Sequence, residues 1–160
     1  MSYKVRQTHY SDEIIEFFND SKLFHLAMCD EDITLYEAGE YTPDFSGYSY
    51  FIIEKNGMPL SLVRLRMLSN TTAEMHGYLL SKYWGRDLSI SLYAALESYL
   101  VKHTQIYKLV IPAPASCLQT IKTAARLGYE VEGALVLGTR WRGKFEDLML
   151  LGKFLDRGIQ

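Results

Sequence analysis

The chain has 160 residues, 48% of them hydrophobic and 22% charged, with 17 Lys and Arg against 19 Asp and Glu and a formal net charge of −2. These ordinary values exclude a disordered, collagen-like or mucin-like chain and leave room for one domain whose core needs no metal or disulfide staple. The near-neutral balance, with a pI of about 6.1, argues against binding nucleic acid or anionic lipid through bulk charge.

Cys29 and Cys117 lie far apart and fit no zinc or CxxC spacing, so both are expected as reduced, hydrophobe-like thiols. His9, His25 and His103 are isolated, and no metal is expected. Met1–Arg6 lacks the apolar segment of a signal peptide, and no apolar run approaches the ~18 residues of a membrane span. A soluble, cytoplasmic protein is expected.

Residues 3–7 read as a strand. Ser11 is then expected to cap a helix through about Asp20, with Ile14, Ile15, Phe17 and Phe18 on its apolar side. Residues 21–47, broken by Asp30-Glu31-Asp32 and punctuated by Gly39, Pro43 and Gly47, are expected as short helices and loops. Tyr48–Glu54 is rich in strand formers, and Asn56-Gly57 is a strong hairpin signal. Leu60–Leu68 makes the return strand, with a slip in alternation between Leu62 and Leu65. After a turn at Asn70-Thr71-Thr72, Ala73–Leu80 reads as a third strand.

Leu88, Leu92, Ala95, Leu96 and Tyr99 then follow helical spacing over about four turns. Ile106–Ile111 is a strand that Pro112 and Pro114 are expected to stop. A helix from about Ser116 ends at Gly128, and a strand runs from Tyr129 to Leu137. Arg140-Trp141-Arg142-Gly143-Lys144 is a basic turn before the last strand, Asp147–Leu155. This order predicts a single domain of the α+β class, a mixed and mostly antiparallel sheet with helices on both faces.

The order, together with Ala73-Glu74-Met75-His76-Gly77-Tyr78-Leu79-Leu80-Ser81-Lys82-Tyr83-Trp84-Gly85-Arg86, resembles the GNAT superfamily of acetyl-CoA-dependent N-acetyltransferases. The similarity is greatest to the ribosomal-protein-alanine branch, with its "AE", apolar strand and "YWG". Ala124–Gly133 resembles that branch's "eKLGF..EG" segment, and Asp147-Leu148 the start of its last strand. The resemblance implies the GNAT fold, acetyl-CoA as cofactor and an amine of a peptide or small molecule as acceptor. Backbone N–H groups at a helix start cradle phosphate, and glycine lets the chain come close. On the resemblance, Leu79, Leu80, Lys82, Gly85, Arg86, Asp87 and Leu88 fall at the cofactor turn, and Cys117 and Thr120 near the cofactor's far arm.

This chain departs from the family in three places. The turn Gln/Arg-x-x-Gly-x-Gly/Ala reads Lys82-Tyr83-Trp84-Gly85-Arg86-Asp87, which puts a carboxylate where a small residue stands. Asp87 there repels a pyrophosphate, or serves as the N-cap of the helix at Leu88. Cys117 occupies the place of a family Asn, and residues 116–127 contain no Tyr to act as the family's general acid.

Acetyl transfer needs a base for the amine. Glu74 and His76, two apart on a strand, share a face with Tyr78 and form the candidate catalytic pair, or else a hydrogen-bonded polar sheet face. Tyr83 and Tyr129 are further candidate acids, and Trp84 reads as a packing residue. Two functions are consistent with these residues. One is an acetyl-CoA-dependent N-acetyltransferase with an amine acceptor. The other is a non-catalytic GNAT-fold module, such as a bacteriophage virion or head-assembly protein, that binds a protein partner and has lost the cofactor. A filled gap between the two middle strands would favour the module. No membrane or nucleic-acid partner is expected, and homo-oligomerisation is left open.

Overall fold

The computed structural model describes residues 3–23 and 41–157. The order is β1 (Lys4–Thr8), α1 (Ser11–Phe18), β2 (Ser49–Lys55), β3 (Met58–Met67), β4 (Thr72–Leu79), a 3-10 turn (Ser81–Tyr83), α2 (Leu88–His103), β5 (Lys108–Pro114), α3 (Leu118–Arg126), β6 (Glu130–Trp141) and β7 (Lys144–Phe154). The strands form one seven-stranded sheet in the order β1-β2-β3-β4-β5-β7-β6, in which β4 and β5 are the parallel pair. Most of the 21–47 segment, residues 24–40, lies outside the described residues.

Two apolar layers flank the sheet. Ile14, Phe17 and Phe18 of α1 pack on Tyr50, Ile52, Leu62 and Tyr78 on one face. Leu92, Leu96 and Leu100 of α2, with Ala124 of α3, pack on Phe51, Ile53, Val63, Leu65, Met75 and Leu109 on the other. Each leucine removed from water in this way contributes about 1.5–3 kcal/mol. Ser11, expected as the cap, is instead the first residue of α1: Tyr10 holds the N-cap position and no side chain caps the helix, which ends at Phe18.

Asn56 and Gly57 both have positive φ, 53° and 76°, so the β2–β3 connection is the two-residue hairpin the sequence predicts. The slip in β3 falls one step earlier than expected. Ile53 pairs with Ser61 and Glu54 with Pro59, which leaves Leu60 as an extra residue in a bulge. Leu60 consequently packs in the α2 layer while Leu62 packs under α1.

Two boundaries differ from expectation. β6 runs on to Trp141, which is buried, so the basic turn shrinks to Arg142-Gly143 with φ of 49° and 80°. As the outer strand, β6 is interrupted twice, between Val131 and Gly133 and between Leu135 and Thr139. Such bulges spoil an edge for further pairing. The second difference is β5, which continues through Pro112 and Pro114 instead of stopping before them.

Candidate active site

The prolines explain why the sheet splits. Ala115 N–H donates to Asp147 C=O, so by alternation residues 109, 111 and 113 direct their main-chain groups at β7. Lys108, Val110, Pro112 and Pro114 direct theirs at β4. Lys108 N–H indeed reaches Thr71 C=O at 3.1 Å. Two residues beyond Val110 the donor would be Pro112, which has none. Pairing between β4 and β5 accordingly covers only Thr72–Glu74 and Lys108–Val110. Pro112 and Pro114 fit the strand because their own main-chain groups face away from β7, and β5 is paired there on the β7 side alone. On the opposite side of the split, Leu80 N–H donates to Leu60 C=O. The same alternation then turns the main-chain groups of Met75, Gly77 and Leu79 into the gap.

Gly77 also admits a side chain from α2. A Cβ there would run into the Tyr93 hydroxyl. Burial pushes the Tyr93 phenol up to about 12, so it stays protonated. The sequence reading passed over Tyr93. The available signal was Gly77 itself, since glycine inside a strand marks close approach of another group.

At the end of β4 the chain turns through Ser81–Tyr83 and enters α2. Asp20 anchors this turn by accepting the Ser81 N–H at 2.6 Å, and Trp84 Nε1–H donates to Leu79 C=O at 2.8 Å. Gly85 and Asp87 both have positive φ, 74° and 53°. Asp87 occupies the N-cap position of α2 without capping it, because its backbone is left-handed and its side chain makes no cap hydrogen bond. The carboxylate points to α3 instead, where both Arg126 guanidinium arms hold it at 2.7 and 2.9 Å. Arg126 keeps the Asp87 carboxyl below the usual carboxylate range. The charge expected to repel a pyrophosphate is therefore matched by a cation of α3.

Tyr83, Gly85, Asp87, Leu88 and Leu79 line a cleft of about 240 Å³ together with Gln119, Thr123 and Arg126 of α3. Leu80 and Lys82 line a different hollow of about 380 Å³ beside Asp20, Met58 and Pro59. Lys82 Nζ and the Arg86 guanidinium lie 5.1 and 5.9 Å from the centroid of the Tyr83 ring. Cys117 Sγ and Thr120 Oγ1 lie 3.2 Å apart at the start of α3, and neither lines the cleft. Gln119, Thr123 and Arg126 follow i, i+4, i+7 spacing. Reading that face of the helix picks out the cleft residues of α3, a different set from the Cys117 and Thr120 that the family resemblance implies.

Removing the Asp87 carboxylate tests this electrostatic arrangement. Asp87→Gly releases Arg126 and suits the left-handed backbone, so acetyl-CoA affinity is expected to rise by about two- to fivefold, the scale of an exposed charge interaction. Arg126→Ala leaves the carboxylate in the cleft, and affinity is expected to fall by a similar factor. Calorimetric titration of both variants checks this. A change of the same sign in both would sink it.

Glu74, His76 and Tyr78 do share a face of β4, the α1 side. Tyr78 is buried against Phe18, 5.4 Å between ring centroids, and serves the core. His76 Nε2 lies 2.8 Å from Glu74 Oε1, and Arg66 donates to Glu74 Oε2 at 2.7 Å. The His76 bond, joined by the one from Arg66, holds the Glu74 carboxyl down to about 2 against the opposing effect of burial. An ionised carboxylate only accepts, so Nε2 carries the proton and Nδ1 is left as an acceptor. Glu74 is too weakly basic to take a proton from an amine, so any base in this pair would be the imidazole, which the carboxylate fixes in place. Of the other phenols considered, Tyr129 is buried with no partner for its hydroxyl, and Tyr83 is half-buried at the cleft. Among the described residues, no group of three His, Cys, Asp or Glu could hold a metal.

No family profile and no curated protein matches the sequence. Solved structures match the fold. The spermidine N-acetyltransferase of Vibrio cholerae, in complex with CoA and spermine, aligns with a TM-score of 0.75 over 96% of this chain and 95% of its own, at 14% identity. The ribosomal L7/L12 α-N-protein acetyltransferase in complex with CoA aligns at 0.79 over 98% and 96%, at 12% identity. A GNAT-family acetyltransferase from Streptococcus pneumoniae aligns at 0.69 over 97% and 100%, at 14% identity. The chain has the GNAT acetyltransferase fold.

Proposed function

We propose that this protein is an acetyl-CoA-dependent N-acetyltransferase acting on a small amine. The observation that carries the reading is the split beside β4. Main-chain groups of Met75 and Gly77 and the N–H of Leu79, whose C=O is taken by Trp84, face a gap closed to further pairing by Pro112, and the gap leads to a cleft at the start of α2. Such an edge suits a chain of amides, and the α2 start suits phosphates. Arg126 and Arg86 stand against Asp87 at the turn, so the local charge favours an anion. Acetyl-CoA, when bound, supplies an activated acyl group. The chain's own share is to bind it along β4 and to take the amine proton on His76 Nδ1, with Glu74 fixing the imidazole.

The assembly-module reading rested on Asp87, Cys117 and the missing tyrosine. The first is neutralised by Arg126, the second stands outside the cleft, and the split between β4 and β5 is unpaired. Thermal unfolding with acetyl-CoA, followed by thiol release with a panel of amines, tests the proposal. Cofactor at a hundred times its dissociation constant is expected to raise the midpoint by about 5–10 °C. No shift at millimolar acetyl-CoA, with no thiol released, would overturn it.

A further inference from the structure

On the α1 face of the sheet, beside His76, sits an arginine that no carboxylate among the described residues neutralises. Arg64 of β3 pairs directly with His76 of β4 on one side and with Tyr50 of β2 on the other. All three side chains therefore project from the same face. Facing residues of this kind have Cβ atoms about 5 Å apart. The Arg64 guanidinium carbon lies 4.4 Å from the centroid of the Tyr48 ring. Tyr41 and Tyr50 continue the aromatic wall, with their hydroxyls 3.3 Å apart, and Phe45 meets Tyr50 edge-on at 5.4 Å.

The other arginines near this sheet face are matched. Arg6 pairs with Glu13 and Glu54, and Arg66 with Glu74. Arg64 has no such match: among the described residues no carboxylate lies within ion-pair distance of it, and its Nε is buried with no hydrogen-bond partner. A guanidinium is charged at every working pH, and burying a charge without a counter-charge is costly. A face-on tyrosine offsets only part of that cost. Carboxylate neighbours do not relieve it, since both oxygens of Glu74 are already engaged by His76 and Arg66. The unmet requirement is an oxyanion, and guanidinium prefers one that it can grip with two N–H groups.

We propose that Arg64 is the acceptor-recognition residue of this site, and that the acceptor is a small zwitterion whose carboxylate docks on Arg64 while its amine, a few bonds away, meets His76. This rests on the N-acetyltransferase reading for the role of His76. The aromatic wall of Tyr41, Tyr48 and Tyr50 then contacts the acceptor's apolar part and keeps water from the ion pair. A polyamine is disfavoured on the same residues. It would meet two guanidiniums, Arg64 and Arg66, and a single carboxylate that is already committed.

Two readouts test this. In the first, the purified protein is given acetyl-CoA and each of the standard amino acids, their methyl esters, or spermidine, and thiol release is followed. At least one free amino acid is expected to exceed its ester by about 100-fold in kcat/KM, the loss of a charged fork. Arg64→Met is expected to erase that difference by raising KM for the acid and leaving the ester unchanged. Arg64→Lys, which keeps the charge without the fork, is expected to fall between. Replacing a buried arginine by a residue of similar volume is tolerated by many folds, and an unchanged midpoint shift with acetyl-CoA verifies that each variant is intact.

The second readout needs no transfer. The same amino acids, without acetyl-CoA, are expected to raise the unfolding midpoint of the natural protein and not of Arg64→Met. Acetylation of spermidine or of esters at rates equal to the acids would overturn the proposal, as would discrimination that survives Arg64→Met. Failure of the acids to bind at all would also overturn it. Acid binding lost in Arg64→Met, with no response to acetyl-CoA, would leave Arg64 as an anion site and remove the transferase reading alone.

Discussion

Replacing His76 with alanine is expected to lower kcat by about 10²–10⁴-fold, the usual contribution of a positioned general base, while acetyl-CoA affinity stays within twofold. The imidazole lies on the α1 side of β4, whereas the cleft proposed for the cofactor lies between the start of α2 and α3. Loss of the base should therefore leave cofactor binding alone. Glu74→Gln is the companion variant. Its amide can donate to His76 and thereby favour the wrong tautomer, so kcat should drop by a smaller factor with KM little changed.

Stability separates the two variants further. The Glu74 carboxyl is held near 2 when folded and titrates at its ordinary value when unfolded. A depressed folded pKa stabilises above the unfolded pKa, and that contribution is lost as pH falls toward the folded one. Natural protein should lose roughly 3 kcal/mol between about pH 4.5 and pH 2 from this group, and Glu74→Gln should not. An alanine at 76 that retains natural kcat would remove His76 from the mechanism, whatever the fold does.

Legibility in the sequence followed how local the physics is. The Asn56-Gly57 hairpin was readable because two adjacent residues with positive φ specify it. The α2 register was readable because Leu92 and Leu96 recur at helical spacing with Leu88, Ala95 and Tyr99, and both are buried. The fold class followed from the order of such elements. Pro112 misled, because proline stops a strand only when both edges must pair. Whether β5 has two partners or one is decided by β4, a strand distant in sequence, not by its own composition. The same residue that seemed to end β5 is the one that opens the sheet.

The site was legible in part. Glu74 and His76 are two apart in one strand, so their shared face follows from alternation, and the structure adds the 2.8 Å contact between them. Arg64 and Arg126 were invisible for a common reason. Each acquires its meaning from a partner on another element, His76 for Arg64 and Asp87 for Arg126. Asp87 shows the limit of reading a charge without its neighbour. A carboxylate at a helix start is a cap if its backbone is extended, but here φ is 53° and the side chain is turned to α3.

Arg157→Met is expected to destabilise the protein by about 3 kcal/mol and to lower its midpoint by about 6–12 °C. The last turn of a helix leaves carbonyls without partners, and in α2 a distant arginine meets them. The Arg157 guanidinium donates to Val101 C=O at 3.1 Å, to Thr104 C=O at 2.7 Å and to Ile106 C=O at 2.6 Å, and its carbon lies 4.5 Å from the Tyr107 ring centroid. One side chain thus joins the end of α2, the entry to β5 and the segment after β7. Methionine preserves the apolar stem and removes every donor, so the loss measures the hydrogen bonds and not the packing. Arg157→Lys should recover about half, because a single ammonium cannot reach three carbonyls in the plane of a fork. Denaturant melts of both variants decide the matter. If methionine and lysine each cost less than 1 kcal/mol, water serves these carbonyls as well as Arg157 does, and the end of α2 is held by its buried leucines alone.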